Sequence, residues 1–84
     1  MTITTDPTPN PNALKFTVGQ PVGGPITYTD SNAGDEPLAR ELLAIDSVVS
    51  IFMTADFVTL TKAPGSDWDD IRPHAIEILE RHYG

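Results

Sequence analysis

Three side chains near the C-terminus have the types and the spacing of a metal site. Asp70 and His74 are at positions i and i+4, and Glu77 follows at i+3 from His74, so all three would share one face of a helix. Imidazole and carboxylate groups are accepted ligands of zinc and iron. A solvated helix face explains the same pattern, with Asp70 capping the helix and Glu77 paired with Arg81. We favour the solvated face, because charged outer faces are the rule for surface helices, and keep iron or zinc binding as the alternative.

Other chemistry has little to support it in this sequence. There is no cysteine, which excludes a thiolate nucleophile and any disulfide. The chain also lacks a G-x-S-x-G turn and a glycine-rich phosphate loop between a strand and a helix. We therefore expect that the protein is not an enzyme and that it carries no cofactor.

Length and charge restrict the partners. The chain has 84 residues and a formal net charge of −7, which predicts a single domain over residues 1–84. Nucleic acid is an unsuitable partner because its phosphates require clusters of lysine and arginine. No apolar run approaches the roughly 20 residues that cross a bilayer, and no secretory signal is visible at the N-terminus. We expect no membrane contact and a cytoplasmic location.

The elements that would position these side chains form an α+β pattern. The simplest packing is a small antiparallel β-sheet with two helices packed on one face. An exposed strand at its edge would allow a monomer or a weak homodimer. Strands are predicted at residues 2–5, 13–18, 26–29, 48–54 and 57–62, with a first helix at residues 36–45 capped by Asp35.

Alternation in the strands predicts which side chains point away from the helices. In the 48–62 hairpin, Val49, Ile51 and Met53 share one face, and the short connection runs through Ala55 and Asp56. The outward face of the sheet is predicted to be polar. It would carry Lys15, Thr17, Thr59 and Thr61, with Lys62 beside them as a further positive point.

The C-terminal helix has an apolar stripe that includes Trp68, Ile71 and Leu79. Pro73 conflicts with a long helix, since proline in a helix interior costs about 3 kcal/mol. The conflict disappears if Asp70 is the N-cap, because Pro73 then falls in the first turn. We therefore predict a helix that starts after Asp70 and a separate turn that places Trp68 on the core.

The segment before the second strand is the most unusual part of the sequence. It comprises Thr8, Pro9, Asn10, Pro11 and Asn12, in which the prolines remove two amide donors and keep the chain extended. The asparagine side chains can bond back to nearby backbone. The segment is either a rigid arm that closes over the sheet or an exposed recognition strip beside Lys15, and we favour the rigid arm.

This segment and four others resemble one known family. The motifs are Thr8-Pro9-Asn10-Pro11-Asn12 with Lys15-Phe16, then Gly19-Gln20-Pro21-Val22, Pro37-Leu38-Ala39, Asp56-Phe57-Val58-Thr59-Leu60-Thr61-Lys62, and Trp68 with Ile71-Arg72-Pro73. In this order they are similar to the N-terminal domain of Nfu/NifU-type iron–sulfur scaffold proteins. One departure is Thr54, where that family usually has glycine.

The resemblance implies a role in iron–sulfur cluster assembly or transfer. In that family the cluster is held by a C-x-x-C in a separate C-terminal domain, and clusters generally require cysteine thiolates, which this chain lacks. The resemblance thus implies a non-catalytic adaptor that recognises an iron–sulfur carrier or a recipient apoprotein. The candidate contact residues are Thr8, Pro9, Asn10, Pro11, Asn12, Lys15, Phe16, Asp56, Phe57, Thr59, Thr61, Lys62 and Trp68.

Overall fold

The computed structural model describes residues 3–29, 31–32, 34 and 36–83. It confirms the predicted α+β class, with a five-stranded antiparallel sheet and two helices. The elements, in chain order, are β1 (Thr4–Pro7), β2 (Ala13–Thr17), β3 (Ile26–Tyr28), α1 (Pro37–Leu43), β4 (Val48–Thr54), β5 (Phe57–Lys62) and α2 (Trp68–Tyr83).

The predicted hairpin of β4 and β5 is confirmed and forms part of the centre of the sheet. The strand order is β1-β2-β5-β4-β3, so β5 lies between β2 and β4. The connection between β4 and β5 is a two-residue turn in which Ala55 has a positive φ of 51°. The unusual backbone conformation thus falls on Ala55 and not on Thr54.

One face of the sheet packs against the helices and forms the core. Phe16 of β2 lies opposite Val58 of β5, which in turn lies opposite Met53 of β4, and all three side chains are buried. Helix α1 packs on β4 and on α2, and buries Leu38 and Leu42. Helix α2 buries Ile71, Ala75, Ile78 and Leu79.

The first strand and the first arm of the hairpin differ from the prediction. Strand β1 lies at Thr4–Pro7, later than the predicted residues 2–5, and Ile3 before it is buried in the core. In β4 the register shifts between Val48 and Ser50, so Val49 is 46% exposed and does not share a face with Ile51. The irregularity is a β-bulge, which adds one residue to one strand and breaks simple alternation.

Helix α2 begins earlier than predicted, because Asp67 caps it and Asp70 does not. The carboxylate of Asp67 accepts a 2.9 Å hydrogen bond from the backbone N–H of Asp69, as an N-cap residue does. Asp70 is therefore inside the first turn, and Pro73 lies in the helix interior. At that position proline leaves the carbonyl of Asp69 without its usual helical donor.

Helix α1 is shorter than the predicted residues 36–45. Pro37 occupies its first turn, and Glu36 is the N-cap residue, without a side-chain cap hydrogen bond. Asp35, the predicted cap, lies outside the described residues. Neither helix, over the residues that the structure describes, has the length and apolar character needed to cross a membrane.

Candidate functional site

Residues 8–12, which we call the arm, are held in shape by their own side chains. The Thr8 hydroxyl lies 2.9 Å from the carbonyl oxygen of Asn10 and 3.0 Å from that of Ala13, and it accepts the N–H of Asn10. The N–H of Asn12 donates to Oδ1 of Asn10 at 2.9 Å. These local bonds stabilise the connection between β1 and β2, in which Pro9 and Pro11 have no N–H to donate.

Two side chains attach the arm to the core. The indole Nε1 of Trp68 donates to the carbonyl oxygen of Pro11 at 3.1 Å. The ammonium group of Lys62 donates to Oδ1 of Asn12 at 3.1 Å, and the backbone N–H of Lys62 donates to the carbonyl of Asn12 at 2.8 Å. The start of α2 and the end of β5 therefore both fix the arm.

The position of Lys62 corrects the sequence-based prediction. Lys62 was expected beside the outward threonines, but it is only 8% exposed and follows Val58 and Leu60 on the core side of β5. Its ammonium lies 5.9 Å from the centre of the Trp68 ring, within the range of a cation–π contact. Lys62 is thus a structural support of the arm and offers no positive point on the surface.

Phe16 and Trp68 also support the arm from below. Their rings meet edge to face, with centroids 6.5 Å apart and an interplanar angle of 61°, a favourable geometry for aromatic pairs. Phe16 is 0% exposed, so it cannot touch a partner directly. The backbone carbonyl of Asp56 accepts the N–H of Val18 at 2.9 Å, and Asp56 is exposed.

The side of the sheet away from the helices, which we call the open face, has one row of side chains that crosses all five strands. The row runs through paired positions of neighbouring strands. Its members are Asp6, Lys15, Thr59, Phe52 and Thr27. Of the predicted face residues, Lys15 and Thr59 are paired with each other in this row, and Thr61 lies two residues further along β5, opposite Ala13.

The open face is more aromatic than predicted. Phe52 is 38% exposed, and Phe57 lies on the same face in the neighbouring strand, at the diagonal position where long side chains reach one another. The ammonium of Lys15 lies 4.4 Å from the centre of the Phe57 ring. Sequence reasoning did not select Phe52, although its alternation with Ile51 and Met53 was an available signal that it faces away from the core.

Asp70, His74 and Glu77 are all exposed on α2. Among the described residues, no three His, Cys, Asp or Glu side chains are grouped so that they could hold a metal ion. Asp70, His74 and Glu77 instead line a groove of about 830 Å³ between α2 and the segment that follows α1.

Arg81 does not make the predicted ion pair with Glu77. Its guanidinium lies 2.9 Å from Oε1 of Glu41 in α1, and Nε2 of His82 lies 2.6 Å from Oε2 of the same carboxylate. The hydrogen bond from His82 has the largest effect on Glu41 and, together with the charges of Arg81 and His82, holds the pKa of this carboxyl below its ordinary value in spite of desolvation. This cluster joins the end of α2 to α1.

Comparison with known proteins agrees with the fold and the motif series. The sequence profile described as scaffold protein Nfu/NifU N terminal matches residues 3–84. The chain belongs to this family. It is 40% identical over 86 residues to the mitochondrial NifU-like protein 5 of Arabidopsis thaliana, covering 99% of this chain and 31% of that protein.

A human relative and two solved structures extend the comparison. The chain is 44% identical over 77 residues to the human mitochondrial NFU1 iron–sulfur cluster scaffold homologue, covering 87% of this chain and 30% of that protein. The NMR structure of a NifU-like protein from Saccharomyces cerevisiae superposes with a TM-score of 0.86 at 29% identity, covering 99% of this chain and 80% of that one. The crystal structure of SAV1430 from Staphylococcus aureus gives 0.78 at 26% identity, covering 94% and 99%. The chain thus spans about three tenths of the length of the two curated relatives.

The expected cytoplasmic location is contradicted by this comparison. Relatives from Arabidopsis thaliana, Drosophila erecta and Homo sapiens are mitochondrial proteins by name. The expectation rested on the absence of a recognisable secretory signal and of a membrane-spanning apolar run, and neither says anything about other destinations.

Proposed function

We propose that this chain is a non-catalytic module of iron–sulfur cluster assembly or transfer that works by recognising another protein. The role follows from the family, whose human and Drosophila members are named as iron–sulfur cluster scaffolds. The chain itself supplies no thiolate, and cysteine thiolates are the usual ligands of such clusters. The partner is therefore the iron–sulfur carrier that holds the cluster or the apoprotein that receives it.

The observation that carries the proposal is the uncovered aromatic centre of the open face. Phe52 and Phe57 lie outward on the two strands of the central hairpin, and an exposed apolar patch with a polar rim is typical of a protein-binding surface. The polar rim here consists of Lys15 and Thr61, while Thr59 lies in the central row between Lys15 and Phe52. Aromatic residues at the centre of an interface commonly supply most of the binding free energy.

The arm contributes a second, rigid contact element. Pro9, Asn10 and Pro11 are exposed, while the bonds to Trp68 and Lys62 fix the backbone beneath them. A segment that is already ordered loses little conformational entropy when it binds. The two interpretations of the arm, as a rigid structural segment and as a recognition strip, are therefore compatible. Its inner side is structural, and its outer side is available for recognition.

A titration followed by NMR tests the proposal. The ¹⁵N-labelled chain is mixed with a C-x-x-C cluster carrier, with and without its cluster, and separately with apoproteins that receive clusters. We expect chemical-shift changes at Phe52, Phe57 and Thr59 and in residues 8–12 with at least one of these proteins. No change with any of them at submillimolar concentration, or changes confined to the helices, would contradict the proposal.

A further inference from the structure

The groove beside α2 is on the helix side of the molecule, separate from the open face and the arm. One wall is α2, where Asp70, His74, Glu77 and Arg81 line it at spacings of four, three and four residues. This stripe extends for about 16 Å at 1.5 Å per residue. The opposite wall is the end of α1 and the segment that leads into β4.

The charges around the groove are strongly unbalanced. Five carboxylates line it, and the single guanidinium, that of Arg81, is already paired with one of them, Glu41. The other four are Asp46, Asp67, Asp70 and Glu77. The groove therefore favours a positively charged occupant, and the net charge of −7 of the whole chain strengthens the attraction.

The groove is not purely polar, which distinguishes it from an ion site. Ile45, Ile71 and Ile78 line it together with Ala44, and Ile45 is only partly buried against the core. Its volume of about 830 Å³ lies within the roughly 300–1,000 Å³ typical of binding clefts. An apolar floor beneath carboxylate walls is complementary to a segment with one apolar side and one cationic side.

We propose that this groove binds a basic amphipathic helix of a partner protein. The apolar side chains of that helix contact Ile45 and the floor, while its lysines and arginines face Asp46, Asp67, Asp70 and Glu77. Grooves that accept an amphipathic helix bind its side chains at i, i+3, i+4 and i+7. The wall along α2 is long enough to contact about three turns of such a helix. With the open face on the other side of the sheet, the module would have two docking surfaces.

Calorimetry with designed peptides tests this inference independently of the proposed function. The probe is an 18-residue peptide of lysine and leucine with leucine at i, i+3, i+4 and i+7. A control peptide has the same composition with the leucines scattered around the helix. We expect the first peptide to bind at least about tenfold more tightly than the second, because only it presents one apolar side. No binding of the amphipathic peptide, or equal binding of the two, would overturn the inference.

Two charge-reversal variants of one helix locate the binding site. Glu77→Lys changes the groove wall, whereas Glu80→Lys makes the same change on the exposed side of α2 outside the groove lining. Glu77→Lys should weaken the amphipathic peptide about fivefold or more, and Glu80→Lys by less than about twofold, since a nearby rim charge matters more than the net charge. Equal weakening by both variants would show attraction to overall charge and would overturn the groove as the site.

Discussion

The indole of Trp68 and the backbone of Pro11 are joined by a hydrogen bond of 3.1 Å from Nε1 to the carbonyl oxygen. The two residues are 57 positions apart in the chain. The bond ties the arm to the first turn of α2, and it adds to the Lys62 bonds and the local Thr8 and Asn10 bonds that hold the arm.

Substituting Trp68 separates packing from hydrogen bonding. Trp68→Phe keeps an aromatic ring against Phe16 but loses the N–H donor, so we expect a loss of about 1 kcal/mol in the free energy of unfolding. Trp68→Ala should cost about 2–3 kcal/mol, below the value for a fully buried aromatic residue because Trp68 is half-buried. Urea denaturation measures both, and an unchanged free energy of unfolding in Trp68→Phe would contradict a role for the indole N–H.

The Lys62 ammonium is predicted to be coupled to Asn12. Lys62→Met retains the length of the side chain but removes the donor to Asn12 Oδ1, and should destabilise the fold by about 1–2 kcal/mol. In a double-mutant cycle with Asn12→Ala, the coupling energy should exceed about 0.5 kcal/mol. The same cycle with Asn10→Ala in place of Asn12→Ala is the control; additive effects of Lys62→Met and Asn12→Ala would show that the contact contributes nothing.

Of two glycine substitutions at the hairpin turn, at Thr54 and at Ala55, only the one at Ala55 should stabilise the protein. Ala55 has a φ of 51°, a conformation that costs an L-residue about 1 kcal/mol or more, so Ala55→Gly should raise the free energy of unfolding by up to about 1 kcal/mol. Thr54→Gly, one residue earlier in β4, should lower it, because glycine weakens a strand. Thermal denaturation of the two variants decides whether the strain is on Ala55.

Stability should fall at acid pH partly because of Glu41. Its folded-state pKa is lowered by the hydrogen bond from His82 and by Arg81. A lowered carboxyl pKa contributes stability that is fully present above the ordinary value of about 4.5 and is lost as the pH falls below it. Glu41→Gln should be less stable at pH 7 and should show a flatter decline in this range.

A matched carboxylate controls for the general effect of charge. Glu80→Gln removes an exposed acid from α2 without touching the cluster that joins the two helices. If both variants flatten the pH dependence equally in melting experiments, the Glu41 cluster has no special role.

Much of the fold follows from local sequence patterns. Alternation located β2 and β5, and the turn signals located the hairpin, because such preferences act within a few residues. The motif series from Thr8 to Trp68 indicated the family, which the profile comparison supports. These predictions needed no knowledge of which strands are neighbours.

The errors arose where a distant contact or a single-residue shift overrode a local rule. The bulge at Val49 depends on pairing with β5, which alternation within β4 cannot reveal. Because Asp67 caps α2, Pro73 lies inside the helix. Proline disfavours that position locally, but tertiary packing can outweigh such a propensity. Lys62 was assigned to the surface because it is charged. Alternation along β5 places it on the same side as Val58 and Leu60, which already indicated the core side.

The central claim is that the open face carries recognition, and Thr59 at the middle of its central row tests this most directly. Thr59→Glu places a carboxylate beside Phe52, while Ser31→Glu makes the same charge change in the exposed segment between β3 and α1. The measurement is the dissociation constant for the protein that shifts the NMR signals, determined by calorimetry after each variant is shown to be folded. We predict that Thr59→Glu weakens binding about tenfold or more, as for the centre of an interface, and that Ser31→Glu changes it by less than about twofold. Unchanged binding by folded Thr59→Glu would contradict the account.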